Sequence, residues 1–157
     1  GLRTNWSISA TTGGTPGAGD TGYSMGYDVW ENTAFPSLAG TENQRSLDPD
    51  SDGLINFVEY AINANPLHGT QSGIPRAALV SSGGQSYYGL TFRRWKNAVD
   101  ISYAPEISAD ASGWEALTVL SGAPVDNGDG TETVTYRSAV PYSAGARSFV
   151  RLRVTEL

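Results

Sequence analysis

The chain has 157 residues, 39% of them hydrophobic, no cysteine and a formal net charge of −6. That length suits one ordinary domain. The missing cysteines exclude disulfides, thiolate metal sites and thiol catalysis, and the acidic balance argues against a nucleic-acid partner, whose phosphates need a basic face.

No apolar run approaches the roughly 20 residues a membrane-spanning helix requires. Residues 1–22 contain "TTGGTPGAGDTG", too rich in Gly, Pro and Thr for a packed element, and read as a linker or the tail of an upstream domain. Within them "NWSIS" is a candidate short strand that docks through Trp6 and Ile8. The chain starts at Gly1, so the expectation is a piece of a longer precursor or one whose targeting segment was removed. A single lysine, 19 glycines and many Ser and Thr fit a secreted, extracellular bacterial protein.

A first helix is expected over about 23–34, where Tyr23, Tyr27, Trp30 and Ala34 make one apolar stripe. Pro36 ends it. A second helix is expected over about 55–64, with Leu54, Phe57, Val58, Ala61 and Ile62 on one face and a stop at Asn63, Asn65 and Pro66. After the linker "PLHGTQSG" the apolar period changes to two. Val99, Ile101, Tyr103 and Ile107 alternate with polar residues, as do Val150, Leu152 and Val154 with Arg151 and Arg153. Strands are expected near 76–81, 86–95, 99–108, 114–120, 131–138 and 148–155, with a hairpin signal at "VDNGDGTE". The fold class is therefore mainly β: an antiparallel β-sandwich over 74–157, preceded by a helix–calcium loop–helix motif over 23–66.

Between the two helices lies "DPDSDGLINFVE". From Asp48, side-chain oxygens fall at positions one, three and five (Asp48, Asp50, Asp52), and Gly53 at six permits a sharp turn. Leu54 at seven offers its backbone carbonyl, Asn56 at nine its side chain, and Glu59 at twelve both carboxylate oxygens. Calcium takes six to eight hard oxygen ligands, and this spacing supplies them. An acidic turn at a helix start would account for one aspartate but not for three at alternate positions. Bound calcium would also cancel two of the six excess negative charges.

The segment "DPDSDGLINFVEYAINANP" resembles the "DPDGDGL-N-EYALG-DP" segments of large secreted bacterial proteins, related to the single calcium loops of thrombospondin type 3 and dockerin repeats. The β region resembles the C-terminal module that follows such segments. The carrying motifs are "LTFRRWKNAVDISYAPEISADASGWEAL" and "VDNGDGTETVTYRSAVPYSAGARSFVRLRV". These modules are similar to fibronectin-type sandwiches, whose "Y-E-S-D-W" pattern falls here on Tyr103, Glu106, Ser108, Asp110 and Trp114. "GGTPGA" also resembles the closing segment of lamin-tail-like domains. A dockerin carries two calcium loops. The nearest second candidate here, Asp126 to Glu132, has Gly128 and Gly130 where oxygen ligands belong.

Catalytic signals are weak. His68, the one histidine, lies in a linker that would hold a general base poorly, and no nucleophile elbow or phosphate-cradling loop is present. Glu106, Asp110 and Glu115 are the candidates for paired-carboxylate chemistry, yet all fall in turns or on the polar side of strands. The expectation is a non-catalytic accessory module of a secreted multidomain protein, acting beside upstream catalytic or binding domains. Polysaccharide is the expected ligand, held by Tyr87, Arg93 and Trp95 on the polar register of "SYYGLTFRRWK", with Tyr142 beside them. The alternative is an architectural or anchoring module with no ligand other than calcium.

Overall fold

The computed structural model describes residues 25–35, 42–69 and 73–157. The linker reading of 1–22 and the candidate strand at "NWSIS" lie outside them.

Helix α1 spans Tyr27–Ala34, shorter at its start than its apolar stripe implies. Met25 is drawn instead into a bridge with Ala98: its N–H donates to the Asn97 carbonyl at 3.0 Å, and its own carbonyl accepts from Val99 at 3.2 Å. Gly26 at the N-cap has no side chain to offer, and Asp100 supplies the cap from afar, its Oδ2 accepting from the Tyr27 N–H at 2.8 Å. Helix α2 spans Asn56–Ile62 and stops at Asn63, whose left-handed φ of 51° is one that asparagine tolerates.

Eight strands follow: β1 Arg76–Ser82, β2 Gln85–Trp95, β3 Ile101–Ser108, β4 Glu115–Ala116, β5 Val119–Leu120, β6 Val125–Asp126, β7 Thr131–Arg137 and β8 Phe149–Glu156. They build two antiparallel sheets. One runs β1-β2-β7-β5, with β6 also paired to β7; the other runs β4-β3-β8. β1 and β2 are joined by Gly83-Gly84, both at positive φ, the backbone that a two-residue hairpin turn with the right twist demands.

The single strand expected over 114–120 is two strands in different sheets. Glu115–Ala116 pair with β3, Val119–Leu120 pair with β7, and Leu117 at the crossing turns into the core. Val99, expected to face inward with Ile101, is 57% exposed, because β3 begins only at Ile101 and the preceding residues serve Met25.

Two apolar clusters result. Between the sheets Leu90, Phe92, Leu117 and Val134 are buried, flanked by Ile107, Val150 and Leu152. The second cluster joins the helices to one end of the sandwich. Tyr27, Trp30, Phe35, Tyr60 and Ala61 pack with Trp95 at the end of β2 and Ile101 at the start of β3. Tyr60 sits at its centre, with ring centroids of Tyr27, Trp30 and Trp95 at 5.3, 5.7 and 6.4 Å.

Candidate metal centre

The acidic loop is shaped by its own side chains. Asp48 Oδ2 accepts from the Gly53 N–H at 3.0 Å, Asp50 Oδ1 from Asp52 at 3.2 Å, and Asp52 Oδ1 from Leu54 at 2.9 Å. Short aspartate side chains favour such local turns. Ser51 and Gly53 take positive φ, 61° and 95°, which folds the three carboxylates inward. One oxygen from each of Asp48, Asp50 and Asp52 lies within 4.8 Å of the others.

The loop is anchored from both sides. The Asn56 N–H donates to the Leu47 carbonyl at 2.7 Å, and the Phe57 N–H to Arg45 at 3.0 Å. Asn56 is fully buried, and its amide nitrogen bonds the carbonyls of Glu42 and Gln44 at 2.7 and 2.8 Å. Those two bonds fix which end of the amide is oxygen, and that oxygen has no donor.

Asn56 is not alone in this. Asp48 Oδ1, Asp50 Oδ2 and both oxygens of the fully buried Glu59 are likewise buried without a hydrogen-bond partner. Each unsatisfied buried acceptor costs about 1–3 kcal/mol. Five of them meet in one short segment, all oxygen, all on residues at the loop's ligand positions. Burial pushes the Glu59 carboxyl up to about 7, and the charges of Asp50, Asp52 and Asp48 push in the same direction. Repulsion and desolvation of this kind are what a hard cation relieves. Asp48, Asp50 and Asp52 therefore could hold a cation between them, and the unbonded buried oxygens of Asn56 and Glu59 lie in the same segment, in the first turn of helix α2 after Leu54.

The proposed sugar-binding residues do not form one platform. Trp95, expected to face solvent, is 6% exposed: helix α2 covers that end of the sheet, and the indole N–H donates to the Tyr60 carbonyl at 2.7 Å. Strand register assigned Trp95 its sheet face correctly but could not reveal what covers that face. Tyr87 lies under the Arg137 guanidinium, 4.0 Å from its ring centre. Arg93 pairs with Asp129 at 3.7 Å and reaches the Asn63 carbonyl at 3.4 Å, tying the end of α2 to the β6–β7 turn. Tyr142 meets Tyr88 edge to face at 5.4 Å, and its N–H donates to the Ser86 carbonyl at 2.7 Å, so it sits by Tyr88, whose side chain leaves the strand on the face opposite to Tyr87.

The other candidates also have structural partners. Glu106 accepts from Arg151 at 2.7 Å and from Arg153 at 3.0 Å, and these guanidinium groups hold its carboxyl below the ordinary range. Asp110 and Glu115 line a cleft of about 590 Å³ with Tyr88, Ile107 and Leu117. Backbone N–H groups of Ser112 and Gly113 bond the Asp110 carboxylate and depress its pKa, which suits a turn staple and not a general acid. His68 is exposed. Trp30 is buried, and Trp114 is half-buried, under Arg151 at 3.8 Å.

Sequence reading missed Asp100. Its two oxygens bond the Tyr27 N–H and, at 2.5 Å, the Tyr60 hydroxyl, joining both helices to the strands. A lone aspartate before a strand carries no local signal of that role. No family model matches the chain, and no curated protein or solved structure matches it.

Proposed function

We propose that this chain is a non-catalytic calcium-binding module in which the ion is structural, clamping the Asp48–Asp52 turn to helix α2. The observation that carries this reading is Glu59, fully buried, with neither carboxylate oxygen hydrogen-bonded, beside three aspartates that converge within 4.8 Å. Oxygen-only donors spread over a twelve-residue loop suit calcium better than magnesium, which demands near-ideal octahedral geometry. The helix that supplies Glu59 also supplies Tyr60 and Ala61 to the aromatic cluster, so an ion there stabilises the seam between helices and sandwich.

Of the two roles open to such a module, spacing or anchoring neighbouring domains of a secreted protein is the better supported. A polysaccharide platform needs exposed aromatic faces, and Trp95 and Tyr87 are occupied by Tyr60 and Arg137. Isothermal titration of the chelator-treated chain with calcium tests the metal reading: one site is expected, lost in Asp50→Ala and in Glu59→Gln. No heat of binding in millimolar calcium overturns it. Affinity electrophoresis in plant and algal polysaccharides tests the second point; retardation by any of them restores the sugar-binding role.

A further inference from the structure

The two sheets are unequal in width. On one flank the chain crosses from β4 in the smaller sheet to β5 in the larger, so those edges are joined. On the other flank β8 lies over β2, and β1 extends beyond it. Ala77 and Leu79 align with Leu90 and Tyr88, so they share the inward face of the sheet. Yet Leu79 is 52% exposed. β8 itself is paired along its whole length to β3 and, among the described residues, to no strand on its other edge. A row of main-chain N–H and C=O groups thus runs above an apolar shelf. Natural sheets blunt such edges with charged side chains, proline or a bulge. β8, "FVRLRVTE", has no proline and pairs with β3 in unbroken register, and its guard is the arginine pair Arg151 and Arg153, which repels a basic strand but not an acidic one.

We propose that this edge of β8, with Ala77 and Leu79 as its floor, is a strand-addition site for an extended acidic peptide in which every second residue is apolar. Main-chain bonds to β8 would hold the peptide, and its apolar side chains would cover the shelf. Charge selects the rest. Arg151 and Arg153 face outward and share the single carboxylate of Glu106, which leaves two cations to one anion. Arg147, just before the strand, is exposed and makes no ion pair among the described residues. Carboxylates on the outward positions of an added strand fall directly beside this arginine row. The same row argues against a second copy: β8 paired with β8 would set arginines against arginines.

Hydrogen exchange on the full, calcium-loaded chain tests this with a blocked seven-residue peptide alternating valine and glutamate. In the free chain the β8 amides pointing away from β3 are expected to exchange fast, and the peptide to slow them at least tenfold. Leu79→Ser and Arg153→Glu should each weaken binding about tenfold, the scale of one lost apolar or charged contact. A peptide alternating valine and lysine should bind Arg153→Glu better than it binds the wild type. Four results overturn the proposal. The lysine peptide binds the wild type as well as the glutamate peptide does; or a glutamate peptide N-methylated at alternate nitrogens binds equally; or those β8 amides are already protected in the free monomer, occupied by the chain itself; or the chain is a dimer protected at β8.

Discussion

The indole N–H of Trp95 donates to the carbonyl of Tyr60 at 2.7 Å, and Tyr60 directly follows Glu59, the buried carboxylate of the acidic loop. The loop and the end of β2 are therefore linked through one residue. Tyr103 adds a second link, its hydroxyl donating to the Ala61 carbonyl at 2.7 Å and accepting from the Trp95 N–H at 3.2 Å. A cation at Glu59 would thus be felt by the sandwich, and the following outcomes are expected.

Calcium should raise the melting temperature of the whole chain in one transition. With a site of about 10⁻⁴ M, near the strong end for extracellular modules, about 10 mM calcium contributes about 2.7 kcal/mol, or roughly 5–10 °C. Asp50→Ala should remove most of this increment. Calorimetry in chelator and in calcium is the check; identical curves for the wild type would contradict the linkage.

The pH dependence should reverse with metal. Without calcium Glu59 keeps its proton to about pH 7 in the folded chain, against an ordinary value of 4.5. The folded state then binds more protons than the unfolded state between these values, so Glu59's contribution to stability is full below the lower value and is lost as pH rises through the upper. Calcium needs the carboxylate, so the gain it brings should grow over the same window. In chelator at pH 8, Glu59→Gln should melt at or above the wild type, and it should gain little from calcium. Melting series from pH 5 to 8 decide this.

Tyr103→Phe deletes two hydrogen bonds at the seam and leaves the Ala61 carbonyl without that donor. A cost of about 1–3 kcal/mol is expected in urea unfolding at saturating calcium. Calcium affinity should change little, because the loop ligands are untouched. A variant as stable as the wild type would mean that water replaces the hydroxyl.

Gly89→Ala should destabilise the β1–β2 hairpin. A Cβ there would clash with Val80 Cγ2 and meet the Ala78 carbonyl at 3.2 Å. Overpacking of this kind costs about 1–3 kcal/mol. The double variant with Val80→Ala should recover part of the loss, which a double-mutant cycle in denaturant measures.

Much of this protein was legible in a single strand of text. The ligand pattern from Asp48 to Glu59 occupies twelve consecutive residues, so its spacing alone brings oxygens to one turn. Alternation likewise placed Ile107, Val150 and Leu152 on inward faces, because a pleated strand sends successive side chains to opposite sides. What covers each face was decided only in three dimensions. Trp95 stands on a register that reads as solvent-facing, but α2 lies across it. Residues 114–120 read as one strand, but the chain changes sheets at Leu117. Asp100 gains its role from Tyr27, 73 residues away, and Tyr60, 40 away. Local periodicity encodes the direction a side chain takes from its own backbone; the partner waiting there comes from a distant part of the chain, and packing alone brings it.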